Sequence, residues 1–275
     1  MEQTPDLARD VLPAWGLPAG EERRVVPGAL PAQLTREWAF GDATGAGVRV
    51  CVVDSGIDAD HPLVGPVERS VTVVGEEDEA VVVDDAPVDV SGHGTACAGI
   101  IRSLAPEVVL GSARVLGADV NGPFATLRTG IAWAIDVGYD ILNLSLAVRS
   151  REFALDLAEL ADRASFRGTV LVCSAHNLPV ESYPWRFSSV VSVGSHDDDD
   201  ARRLYYNPEP PVEFYARGVD VPVAWPGGST IRATGNSFAA PHVTGMLALI
   251  RSKHPKLTPF ELKTVLYRVA ANVRA

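Results

Sequence analysis

The chain has 275 residues, with 24 Lys and Arg against 35 Asp and Glu, a formal net charge of −11, and 47% hydrophobic residues. That apolar share excludes a disordered or fibrous chain. The negative balance argues against nucleic acid as a partner, because phosphate contacts need clustered Lys and Arg.

Residues 1–30 are rich in Pro, Gly and charge and keep no steady period. They read as an N-terminal extension, disordered or laid over a cleft, ahead of one domain over 31–275. The start, Met1-Glu-Gln-Thr-Pro-Asp, has no basic end and no apolar segment after it, so no secretory signal is expected. Short apolar runs at 48–53, 108–115, 140–146, 169–173 and 190–193 predict buried strands. Helical patterns fall between and after them, at 94–104, 125–138, 152–167, 238–253 and 259–271. Strand alternating with helix predicts an α/β fold, a mainly parallel sheet covered on both faces. Residues 66–92 and 196–212 read as long irregular stretches, with acidic runs at 76–79, 84–85 and 197–200. The longest mostly apolar stretch, 238–250, is broken by Pro241, His242 and Thr244 and is too short to span a bilayer. Cys51, Cys97 and Cys173 sit among apolar neighbours and cannot all pair, which predicts reduced thiols and a cytoplasmic location.

In open α/β sheets, sites form at the carboxyl ends of strands. Asp54 directly follows the first strand. His93 opens a helix after the turn Ser91-Gly-His-Gly-Thr95. Ser237 opens the helix after Ala233-Thr-Gly-Asn236. A serine hydroxyl is a weak nucleophile that needs a base, and the base needs a carboxylate to orient it. A helix amino terminus adds free N–H groups beside such a serine. Each residue alone has an ordinary explanation: a strand-end turn, a capping histidine, an N-cap serine.

Three blocks carry more than that. Val52-Val-Asp54-Ser-Gly-Ile-Asp58, Gly92-His93-Gly-Thr-Ala-Cys-Ala-Gly99 and Gly235-Asn-Ser237-Phe-Ala-Ala-Pro-His242 resemble the three signature blocks of the subtilases, the subtilisin-like serine proteases. The resemblance runs from about residue 34 to the end. It implies a three-layer αβα architecture and a serine endopeptidase acting on peptides or proteins through an acyl-enzyme. Asp54 would orient the base, His93 would act as base then acid, and Ser237 would be the nucleophile. Asn177, in Cys173-Ser-Ala-His-Asn177, stands where the family places an oxyanion donor. Ala118-Asp-Val-Asn121-Gly122 resembles the segment that pairs with substrate. Ser145, Leu146 and Ala147, with Ala175 and His176 opposite, would line the primary specificity pocket. Glu181 and Ser182 are expected to face a basic or polar substrate side chain. Asn143, His61 and His242 read as structural, and Cys97, one turn after His93, as a core thiol beside the site.

The sequence departs from the family at several points. Only twelve residues separate His93 from Pro106, too few for a helix carrying the family's calcium loop, and His61-Pro62-Leu63 lacks the carboxylate that would be a further ligand. No cofactor and no metal site is expected, with calcium left open at the acidic loops. His176 replaces the usual Gly, Asn236 the usual Thr and Phe238 the usual Met. Gly45-Ala-Gly47 precedes a strand, whereas a phosphate loop follows one, so dinucleotide binding is not expected. Two other functions stay open: a peptide ligase or macrocyclase that passes the acyl group to an amine, and an inactive peptide-binding pseudoprotease. A dedicated processing role for a peptide or protein precursor is a narrower form of the protease reading. The natural substrate and the oligomeric state are open.

Overall fold

The structure is a computed structural model that describes residues 30–75 and 79–274. The extension expected at 1–30 therefore lies outside the described residues apart from Leu30, as does most of the acidic run at 76–79. In chain order the elements are α1 (Arg36–Ala39), β1 (Arg49–Asp54), β2 (Val67–Val74), β3 (Val81–Asp84), α2 (His93–Leu104), β4 (Val109–Arg114), α3 (Phe124–Val137), β5 (Ile141–Leu144), α4 (Ala154–Phe166), β6 (Val170–Ser174), β7 (Val191–His196), β8 (Tyr205–Tyr206), β9 (Phe214–Arg217), β10 (Val221–Trp225), β11 (Ser229–Ala233), α5 (Asn236–Lys253) and α6 (Pro259–Val269).

Among the described residues, nine strands form one sheet in the order β3-β2-β4-β1-β5-β6-β7-β9-β8. It is parallel from β2 to β9, with one antiparallel strand at each edge. β1 is central and buried from Val50 to Asp54. Helices cover both faces of such a strand, so its apolar residues run continuously rather than alternate. On one face α3 turns Leu127, Ile131, Ala134 and Ile135 inward, joined by Leu157, Leu160 and Ala164 of α4. Each large aliphatic side chain buried there contributes about 1.5–3 kcal/mol. α2 and α5 pack together on the other face, and the β10–β11 hairpin packs on α2. This is the expected three-layer α/β architecture. α5 is buried almost all round, as a helix running through a core must be.

The stretch 66–92 is not irregular throughout: it carries β2 and β3. β2 buries only Val71 and Val73 firmly, and β3 lies at the sheet edge with Val81 and Val83 exposed. β2 interrupts its valines with Glu68, Arg69, Ser70 and Thr72, and the valine run of β3 is only three residues long and closed by Asp84. Likewise 196–212 contains the two-residue β8, which is too short to have a pattern.

The parallel strands deliver their carboxyl ends to one edge. Asp54 ends β1, Ser145 follows β5, and Ala175–Asn177 follow β6. The amino termini of α2 and α5 bring His93 and Ser237 against the same region.

Candidate active site

Asp54 is fully buried. Its two carboxylate oxygens lie 2.8 and 3.0 Å from His93 Nδ1, and the first also accepts the Ser55 backbone N–H at 2.8 Å. A carboxylate only accepts, so Nδ1 carries the hydrogen and Nε2 keeps its lone pair. Burial works to lower the His93 pKa, but the charge and hydrogen bond of Asp54, with the charge of Asp89, outweigh it and hold the imidazole above its ordinary value. A base must be neutral, so the acid limb of kcat/KM is expected above the ordinary histidine value of about 6.5. A pH–rate profile checks this; a limb below 6.5 would contradict it.

The start of α2 is tightly accounted for. The Gly92 and Thr95 N–H groups donate to Asp89, His93 N–H to Ser91 Oγ, and Gly94 N–H to Ser55 Oγ. All four donors of the first turn are satisfied without water. Gly94 permits the close approach to the loop after β1: a Cβ there would meet the Gly56 carbonyl at 2.0 Å. Asp89 was invisible to sequence reasoning, although an Asp just ahead of a helix start was a usable signal.

Ser237 lies in the first turn of α5. Four residues on, Pro241 has no N–H, so the Ser237 carbonyl loses its helical partner. Ser145 Oγ takes that place at 2.7 Å, and Cys97 Sγ lies 3.7 Å from the same oxygen. Ser145 is itself held by Asn143 Nδ2 at 3.0 Å, and Asn143 Oδ1 accepts from Thr244 of α5 at 2.9 Å. Ser145, expected to line the substrate pocket, has its hydroxyl engaged by the backbone carbonyl of Ser237. Ser145→Ala would leave a buried carbonyl with only a thiol, at an expected cost of about 1–3 kcal/mol in denaturant unfolding. The Phe238 ring lies 5.5 Å from the His93 ring and packs with Ala96 and Ile100.

Two donors beside Ser237 Oγ are free. The Ser237 N–H makes no hydrogen bond among the described residues. Asn177 Oδ1 accepts the Asn236 N–H at 2.9 Å, which fixes the amide so that Nδ2 is the unengaged atom. Asn236 does not supply a third donor: its side chain accepts from Ser195 N and Oγ and donates to the Ala175 and His176 carbonyls.

The expected substrate-binding set is divided. Ala175, His176 and Asn177 line a cavity of about 520 Å³ with Glu181, Trp185 and Asn236. Leu146 and Ala147 are not part of it; they pack against the core cluster that contains Tyr183 and Trp185. Ser182 is fully buried and accepts from Trp185 Nε1, so it does not face substrate. Glu181 does face the cavity. The Tyr183 hydroxyl and then Arg186 hold its carboxyl below the usual range. Asn121 and Gly122 sit in an exposed turn after β4, closed by Gly117 N–H donating to the Asn121 carbonyl.

The other histidines are built in. His61 Nε2 donates to the Ser229 carbonyl while Nδ1 accepts from Leu63 N. His242 Nδ1 donates to the Phe238 carbonyl, and burial pushes its pKa down to about 4. All three cysteines are free and buried. Burial, then the charge of Asp54, pushes the Cys97 thiol well above its ordinary pKa, which removes it as a nucleophile.

The model of the subtilase family matches residues 45–275. The chain belongs to the subtilases. It is 32% identical to Subtilisin DY of Bacillus licheniformis over 265 residues, covering 91% of this chain and 93% of that protein. It is 31% identical to Subtilisin BL of Lederbergia lenta over 241 residues, 84% of this chain and 86% of that one. Among solved structures, a cold adapted subtilisin-like serine proteinase superposes with a TM-score of 0.65 at 26% identity, over 81% of this chain and 82% of that one. This subtilase is therefore a serine endopeptidase with peptide or protein substrates.

Proposed function

We propose that this subtilase hydrolyses peptide bonds through an acyl-enzyme on Asp54, His93 and Ser237. The observation that carries the reading is the buried Asp54 carboxylate gripping His93 Nδ1 at 2.8 and 3.0 Å. Ser237 Oγ attacks the substrate carbonyl and passes its proton to His93 Nε2. The imidazolium so formed faces Asp54. The oxyanion accepts from the Ser237 N–H and Asn177 Nδ2. His93 then protonates the leaving amine, and water repeats the sequence on the acyl-enzyme. Ser237 Oγ makes no hydrogen bond among the described residues, which leaves its lone pairs and proton for substrate and His93.

The test compares wild type with Ser237→Ala on a diverse peptide pool, with fluorophosphonate labelling and mass spectrometry of products. Cleavage and labelling, both lost in Ser237→Ala, are expected. Absence of labelling in wild type would point to a dead, peptide-binding site. New amide products in place of hydrolysis would point to a ligase.

We also propose that stability does not depend on calcium. The residues do not fit the family's site: α2 runs unbroken from His93 to Leu104, and an exposed Leu63 stands where the carboxylate would be. The acidic residues 198–200 face arginines, with Asp198 and Asp200 against Arg203 and Asp199 against Arg217. Chelation with EDTA is expected to leave Tm unchanged. A calcium ion held at 100 times its Kd would contribute about 2.7 kcal/mol, so a loss of several degrees would overturn the proposal. The three unpaired thiols support a cytoplasmic location, which cell fractionation would check.

A further inference from the structure

Asp89 lies in the loop before α2, yet it is the most heavily bonded carboxylate around the site. Its Oδ1 accepts from Ser55 Oγ at 2.8 Å, Ser91 N at 2.9 Å and Gly92 N at 2.8 Å. Its Oδ2 accepts from Thr95 N at 2.8 Å and Thr95 Oγ1 at 2.6 Å. A carboxylate has about four lone-pair sites, so its accepting capacity is fully used.

The partners are not scattered. Ser55 follows Asp54 in the chain, and Gly92 precedes His93. Ser55 Oγ, while donating to Asp89, accepts from Gly94 N at 3.0 Å, the residue after His93. The Thr95 hydroxyl, held by Asp89, accepts from Asp58 N at 2.9 Å, at the far end of the loop that follows Asp54. The end of β1 and the start of α2 are thus bolted together on both sides of the Asp54–His93 pair, across 39 residues of sequence. The carboxylate also places negative charge at the amino terminus of α2, where the helix dipole favours it.

We propose that Asp89 is a positioning residue for the reaction: through Ser55 and the first turn of α2, it sets the distance and angle between Asp54 and His93. The proposal rests on the assignment of Asp54, His93 and Ser237 above. Orientation of a base is worth a large factor, since a displacement of about 1 Å can cost about 10²-fold in rate.

In Asp89→Asn an NH₂ group must replace one accepting oxygen. It then faces either the Thr95 N–H or the Ser91 and Gly92 N–H groups, donor against donor. The test uses the full chain and a peptide cleaved by wild type, with rates normalised to active sites titrated by a fluorophosphonate. Wild-type labelling at Ser237 checks the underlying assignment separately, so only the variants test Asp89. In Asp89→Asn, kcat per titrated site is expected to fall by about tenfold or more with KM within about twofold. The acid limb of the pH profile is expected to move to lower pH, because a negative charge acting on His93 is gone. A residue that only stabilises the fold would lower Tm and the titrated fraction without moving kcat per titrated site. An unchanged kcat per titrated site overturns the proposal. If Asp89→Asn does not fold, Ser55→Ala takes over: it cuts the bridge but keeps the charge. Its kcat per titrated site is expected to fall at least about threefold with the limb in place, and an unchanged kcat overturns the proposal.

Discussion

Asp54→Asn is expected to lower kcat by about 10⁴-fold while the fold persists, the loss known for the same change in another serine protease scaffold. Asp54 is fully buried and its carboxylate serves two donors, the Ser55 N–H and His93 Nδ1. An asparagine keeps the shape but has one oxygen and one NH₂. The Ser55 N–H is a fixed backbone donor, so the amide oxygen stays with it. The NH₂ then faces His93 Nδ1 and stabilises the tautomer with hydrogen on Nε2. That imidazole cannot take the Ser237 proton. Circular dichroism should be unchanged, because a neutral amide buries more easily than a charge. A loss under tenfold, in a folded variant, would remove Asp54 from the proposed mechanism.

Asn177→Ala is expected to cost about 10²–10³ in kcat with little change in KM, the loss known for the oxyanion-hole asparagine of subtilisin itself. The donor acts on charge that exists only in the transition state, so ground-state binding is spared. Asn177 also holds the Asn236 N–H through Oδ1, so alanine removes two functions. Asn177→Asp separates them. It keeps an acceptor for Asn236 but replaces the donor with a negative oxygen, and should be at least as damaging as alanine. If Asn177→Asp retained wild-type kcat, the side chain would be serving Asn236 alone. Gly235 gives an independent probe of the same space. A Cβ there would lie 3.3 Å from Ser237 Oγ and 3.4 Å from Asn177 Nδ2. Its backbone is extended and open to any residue, so Gly235→Ala should fold normally and lose activity by obstruction.

The sequence by itself determined the elements that carry the site. Buried parallel strands such as β1 and β6 are continuous apolar runs, and helices such as α3 repeat on a helical period. Both are local patterns that burial on two faces or one face imposes. The three blocks around Asp54, His93 and Ser237 were legible for the same reason: each is a short turn with fixed chemistry. The strands β2 and β3 were not: β2 mixes Glu68, Arg69, Ser70 and Thr72 with its valines, and the edge strand β3 is a valine run of only three residues set between acidic residues. The uses of individual polar side chains also required the tertiary structure. Ser145 looked like a pocket residue. Only its approach to Ser237, 92 positions away, shows that Pro241 leaves a carbonyl for it to satisfy. Ser182 looked like a substrate contact until Trp185 closed over it. Asp89 drew no notice in the sequence, and only the approach of Ser55 and Thr95 gives its carboxylate a use. A hydrogen bond has no period and no propensity. Which donor meets which acceptor is decided only when the packed elements bring distant residues within 3 Å of one another.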